Sequence, residues 1–301
     1  MCIRDSQKKD PSFSIRKLDY DDAATYKMLG QGETEGVFQL ESSGMKQVLV
    51  GLQPQNLEDV IALISLYRPG PMDSIPTYLR NRHEPDKISY KTPQLAHILD
   101  VTNGCIVYQE QVMQIFRELA GFSFGQADNV RRAMSKKKHA VMEAEREHFV
   151  HGCTEPGHEC PGCVANGISE KVANEIYDEM SSFASYAFNK SHAACYAYVA
   201  FQTAYLKCHY PSEFMAALLT SVLDNTDKVI EYSGECARLG IKVLPPDVNI
   251  SNGGFTADNG KIRFGLNAVK NVGRNLIERV VEERKEKPYS SLYDFLSLIH
   301  I

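Results

Sequence analysis

The sequence predicts a mainly α (α+β) fold: a multi-helical body with short β pieces and a C-terminal helix-hairpin-helix-like element. Three observations carry this. Apolar residues recur at helical spacing through most of the first 240 positions. The extended runs are short and bounded by glycine or serine. From Ile241 the texture changes to prolines, alternation and an Asp258-Asn-Gly260 turn.

In chain order, Tyr20 to Leu29 has helical spacing, and Gly36 to Leu40 reads as a short strand feeding a helix. Asn56 caps the helix LEDVIALISLYRPGP, which ends on Tyr67 and Arg68 before Pro69-Gly-Pro. Gly104 to Tyr108 is a second strand candidate, and the helix after it stops at Gly121. Helices are expected over 126–135 and 138–150, a loop from His151 to Gly167, then helices over 169–183, 192–208, 212–223 and 226–238. A hairpin turning at Asp258-Asn-Gly260 and a helix over 274–285 complete the order. The helix starting at His192 is apolar nearly all round, which predicts burial on most sides.

The 301 residues suffice for one large or two ordinary domains. No stretch approaches the roughly 18 apolar residues of a membrane span, and Met1 to Pro11 is too polar for a signal peptide, so a cytoplasmic protein with no membrane partner is expected. Eight cysteines scattered through helical patterns read as reduced core residues rather than a disulfide framework. A net charge of −5 leaves no global footprint for nucleic acid. One local patch exists, RRAMSKKK from Arg131 to Lys138, readable either as a solvated face or as an anion-binding surface.

Phe188-Asn-Lys-Ser-His192 places Ser191 as an N-cap with Lys190 beside it, so amides, helix dipole and cation would converge on a phosphate; the other reading is an ordinary capped helix with a solvated lysine. Arg131 and Arg132 lie about 100° apart on one helix, so one can face a cleft while the other braces a second anion oxygen. No carboxylate spacing resembles a metal-binding polymerase or hydrolase set, and no P-loop, GxGxxG or nucleophile elbow is present. His151, Cys153, His158, Cys160 and Cys163 lie in one loop; Cys153, His158, Cys160 and Cys163 are zinc candidates, against a plain cysteine-containing surface loop. Leu266 to Gly273 followed by a helix reads either as a helix-hairpin-helix, whose turn amides hold a DNA phosphate without reading bases, or as an ordinary glycine turn before a helix.

Taken in series, GVFQLESSGM (36–45), LYRPGPM (66–72), VYQEQVMQI (107–115), VRRAMSKKK (130–138) and FNKSHAACYAYVAFQTAYLKCHYPSEFM (188–215) resemble the C-family replicative polymerases, the alpha subunits of bacterial DNA polymerase III. The resemblance runs from about Leu18 to Phe295. It implies a polymerase fingers domain, part of a DNA-directed DNA polymerase, without the three palm aspartates that hold the metals. By it, 1–35 is a non-native start and the end of the palm, 36–245 the fingers, and 246–301 a small hairpin plus helix-hairpin-helix finger. It implies that Arg131, Arg132, Lys190, Ser191 and His192 surround the incoming nucleotide's triphosphate, with Arg68, Tyr108 and Gln109 lining the same pocket. Lys136, Lys137, Lys138, Lys270, Asn271 and Gly273 would face the DNA backbone. The implied partners are primer-template DNA, incoming dNTP and, through other parts of the parent, a sliding clamp and replisome subunits. Mg2+ would serve the full-length enzyme through ligands elsewhere. The Cys153–Cys163 loop looks like a lineage-specific insertion for which the resemblance implies no role, while Met1 to Lys9 and Ser297 to Ile301 do not follow the family pattern and are expected to carry no functional weight. A non-catalytic helix-hairpin-helix DNA-binding module is the alternative, and a zinc-stabilised interaction domain the third.

Overall fold

The computed structural model describes residues 1–136, 139–184 and 188–297. Helices α1 (Cys2–Lys9), α2 (Ala23–Gly30), α3 (Ser43–Leu52), α4 (Leu57–Leu66), α5 (Ile75–His83) and α6 (Ala96–Leu99) come first. Then follow α7 (Gln109–Ala120), α8 (Phe124–Ser135), α9 (His139–His151), α10 (Gly162–Ala165) and α11 (Glu170–Ala184). After α12 (Lys190–His209), α13 (Pro211–Ser221) and α14 (Thr226–Arg238), three short strands precede α15 (Arg274–Glu283) and α16 (Leu292–Ser297). The mainly α prediction is borne out. Among the described residues no helix is long and apolar enough to cross a membrane.

The chain divides into two compact units, one of residues 29–32 and 42–199, the other of 1–28, 33–41 and 200–301. In the first, α7 turns Val112, Ile115, Phe116 and Leu119 into a core shared with Val130, Met134, Phe149, Ile176, Tyr177 and Met180. Phe116 meets Phe149 edge-on at 5.0 Å and Tyr177 at 6.0 Å, an arrangement that suits the ring quadrupoles. Helix α4 is buried from Asp59 to Leu66, and Asn56 caps it as predicted, accepting from the Asp59 amide at 3.0 Å. Gly121 ends α7 in the left-handed region, φ 76°, where glycine carries no Cβ penalty.

In the second unit, Phe214, Met215 and Leu219 of α13 pack with Tyr232, Cys236, Phe255 and Ile262. The strands β1 (Val243–Leu244), β2 (Thr256–Asp258) and β3 (Lys261–Arg263) form a sheet in the order β1-β3-β2. The β2–β3 hairpin turns through Asn259 and Gly260 at φ 48° and 76°, as an Asn-Gly turn requires. The parallel β1–β3 pairing was not anticipated.

Four local expectations are corrected. Gly36 to Leu40 is a run of turns rather than a strand: Gly36 and Gln39 take positive φ, and the buried Thr34 hydroxyl closes the segment on the Leu40 carbonyl at 2.6 Å. Of Gly104 to Tyr108 only Tyr108 pairs, in a single bridge with Phe188. Its amide and that of Val107 donate to the Gln111 side chain, both at 2.9 Å, so they are not offered to a neighbouring strand. The start of α12 is capped by Asn189, whose Oδ1 accepts from the His192 amide at 2.9 Å, placing Ser191 inside the first turn. Finally, α12 is not buried all round: Ala193, Ala197, Ala200 and Ala204 form its buried stripe, while Tyr198 and Val199 are more than 40% exposed.

Candidate nucleotide-binding site

The first unit brings together most of the residues singled out as phosphate ligands. Arg131 and Arg132 are one position apart, and both close on Asp128, one turn earlier on α8. Arg131 donates through Nη2 at 2.7 Å and Nε at 3.0 Å; Arg132 reaches the other carboxylate oxygen at 2.8 Å. These hydrogen bonds, from Arg131 first, hold the Asp128 carboxyl below its ordinary range. The two arginines still differ as their angular offset requires: the Arg131 side chain is 18% exposed and that of Arg132 65%. Arg131 also donates to Gln109 Oε1 at 3.1 Å.

Gln109 links this helix to the start of α12, because its backbone amide donates to the Phe188 carbonyl at 2.9 Å. Arg68 lies on the same Phe188, its guanidinium 3.9 Å from the ring centroid, and burial pushes that group below its ordinary value. Lys190 sits 5.3 Å over the Tyr108 ring and pairs with Glu58 at 2.9 Å. Tyr108 is buried, and burial drives its phenol up, so it works as an apolar wall carrying a neutral hydroxyl. The His192 ring lies against Phe188 at 5.2 Å and Tyr196 at 4.6 Å. Ser191 is exposed in the first turn.

A carboxylate already occupies the start of α12. Glu110 accepts the Lys190 backbone amide at 3.1 and 3.2 Å and the Asn189 side-chain amide at 2.9 Å. It therefore sits where a helix N-terminus binds an anion. Beside it opens a cavity of about 510 Å³ lined by Gln109, Glu110, Arg117, Glu118, Asp128, Arg131 and Asn189, among others. Sequence reasoning missed Asp128, Glu110, Asn189 and Glu58. Asp128 and Asn189 had local signals, three or four residues before the arginines and just before the helix; Glu110 and Glu58 reach across the fold and had none.

The other candidates lie apart in sequence. Lys136 is exposed at the end of α8, and Lys137 and Lys138 lie outside the described residues. In the second unit, a short 3₁₀ turn (Leu266–Ala268) leads through exposed Lys270, Asn271 at φ 64°, and Gly273 into α15. The left-handed residue of this turn is Asn271; Gly273 is extended at φ −70°, and a Cβ there would meet nothing within 4 Å. Arg284 ties the turn's base together, donating to the Val248 carbonyl at 2.8 Å and to Asn252 Oδ1 at 3.0 Å.

The structure does not gather the zinc candidates of the Cys153–Cys163 loop. Cys163 is buried in the core around Phe116, and burial pushes its thiol up to about 12. Cys160 is buried and donates to the His148 carbonyl, while His158 stands exposed at the loop tip. Cys153 and Cys160 pair only through their backbones, and ligand atoms of these residues do not gather within coordinating reach. Among the described residues one group of potential ligands does gather, Asp22, Cys208 and His209.

The first unit is thus a helical body in which Arg131, Glu110 and Asn189 at the α12 start line one cavity, and in the second unit a turn through Asn271 leads into α15. Residues 1–157 match the bacterial DNA polymerase III alpha subunit finger domain, and residues 240–301 match a helix-hairpin-helix motif. The DNA polymerase III subunit alpha of Bacillus subtilis is 44% identical over 289 residues, covering 96% of this chain and 25% of that protein. That of Thermus aquaticus is 48% identical over 296 residues, with 96% and 23% covered, and that of Pasteurella multocida 42% identical over 300, with 97% and 25% covered. The chain belongs to the bacterial DNA polymerase III alpha subunit family, as its motifs implied, and spans about a quarter of the length of these curated relatives.

Proposed function

We propose that this chain is the fingers of a replicative DNA-directed DNA polymerase and binds the triphosphate of the incoming dNTP. The observation that carries the reading is the grouping of Arg131, Gln109 and Asn189 of the α12 start around one cavity, with Gln109 bonded to both Arg131 and the Phe188 carbonyl. Asp128, Glu110 and Glu58 hold the arginines, the α12 amide and Lys190 in place, and an arriving triphosphate exchanges with them. Arg131, the less exposed of the pair, takes an oxygen inside the cavity; Arg132 braces from the rim. Lys190, Ser191 and His192 receive the phosphate end at the helix start, and Arg68, Tyr108 and Gln109 form the wall. Nucleotidyl transfer also needs a divalent metal, Mg2+ in this proposal, on hard oxygen ligands. Among the described residues the one gathered ligand group includes a thiol and an imidazole, which do not suit that ion; in this proposal its ligands come from other parts of the polymerase.

In the same reading, residues 36–245 act as the fingers and 246–301 as a smaller finger, with Lys136, Lys270, Asn271 and Gly273 on the primer-template backbone. Clamp and replisome contacts fall to other parts of the cytoplasmic parent. Kinetics of the whole polymerase carrying Arg131→Ala and Arg132→Ala test the proposal. A raised KM for dNTP with slowed turnover is expected, and unchanged kinetics would overturn it.

A further inference from the structure

We infer that Asp22, Cys208 and His209 form a site for a borderline-soft divalent transition metal, zinc above all, which fastens the start of α2 to the end of α12. Three donors of different kinds, a carboxylate oxygen, a thiol sulfur and an imidazole nitrogen, lie within 4.8 Å of one another. Tetrahedral zinc, with bonds of about 2.0–2.3 Å, sets neighbouring ligand atoms roughly 3.3–3.8 Å apart, so small side-chain rotations close the shell. The oxygen and nitrogen are already 3.0 Å apart, Asp22 Oδ2 facing His209 Nε2.

The surroundings prepare the donors. Asp22 is fixed by accepting the Thr25 amide at 2.8 Å, which caps α2. The His209 ring packs against Tyr205 with centroids 4.3 Å apart and planes tilted by 37°, which restricts its orientation. The Thr25 hydroxyl is buried beside both the carboxylate and the thiol and holds them toward one another. The mixed donor set selects zinc, cobalt or nickel and rejects Mg2+, which separates this site from the metals of nucleotidyl transfer.

Titration of the purified 301-residue chain with Co2+ under reducing conditions tests the site. Stoichiometric binding with a thiolate-to-cobalt charge-transfer band and tetrahedral d–d absorption is expected. Cys208→Ser should abolish the charge-transfer band, and Asp22→Asn, which keeps the cap's shape, should weaken binding at least about tenfold. A variant lacking Cys153, Cys160 and Cys163 should keep the band. Zn2+ should raise the melting temperature of the parent chain and not that of Asp22→Asn, a readout that holds even if Cys208→Ser folds poorly. No band in the parent chain, a band that survives Cys208→Ser, or one lost with the Cys153, Cys160 and Cys163 variant would each overturn the inference.

Discussion

At the scale of single residues, buried charge decides most. Lys207 is fully enclosed, donating to Glu235 at 2.7 Å and to the Glu35 carbonyl at 2.9 Å. Arg238 grips the same Glu235 at 2.7 and 2.8 Å and reaches Glu33 at 3.0 Å. One lysine thus pins the 33–41 turns to α14. Removing one member of such a pair leaves the other charge buried, so Lys207→Met should cost about 3–5 kcal/mol in urea unfolding. Burial alone would raise the Glu235 carboxyl, but hydrogen bonds from Arg238 and Lys207 outweigh it and hold the group below its ordinary 4.5. A depressed carboxylate stabilises the fold above its unfolded pKa and loses that contribution as pH falls through the folded value. Glu235→Gln should therefore flatten the acid limb of the stability profile below about pH 4.5; an unchanged limb would contradict this assignment.

At the scale of elements, caps and close approaches set the boundaries. Asn189→Ala should cost about 1 kcal/mol by thermal unfolding, since it frees the His192 amide and releases one grip on Glu110. Gly162 has φ 78°, and a Cβ there would lie 2.3 Å from the Gly152 nitrogen. Gly162→Ala should lower the melting temperature more than Asn189→Ala, because backbone cannot yield as a flexible side chain can. These elements also show how far sequence carries. Asn56, Gly121 and the Asp258-Asn-Gly260 turn act through neighbours a few positions away, so their roles were legible. The false strand at 36–40 was not, because a hydroxyl six residues from its acceptor folds an apolar run into turns. In the site, Arg131, Arg132 and Lys190 were legible as cations near helix features. The carboxylate that meets the α12 start was not, because Glu110 lies 80 positions from Lys190.

At the scale of the whole molecule, one unit holds the candidate triphosphate residues and the other the segment matching a helix-hairpin-helix motif. If Lys270 meets a backbone phosphate, Lys270→Ala should weaken DNA binding equally across sequences and reduce the salt slope by about one. Salt titration of binding to primer-template measures this, and an unchanged slope removes Lys270 from the interface. On the proposed reading, nucleotide binding should respond to substitutions in the first unit alone. The most direct test is the equilibrium Kd of the next correct dNTP for the whole polymerase on a chain-terminated primer-template, compared between the parent and Arg131→Ala. Loss of a charge-assisted contact worth about 1.5–3 kcal/mol predicts binding roughly 10- to 100-fold weaker, with DNA affinity unaltered. An unchanged nucleotide Kd would contradict the account.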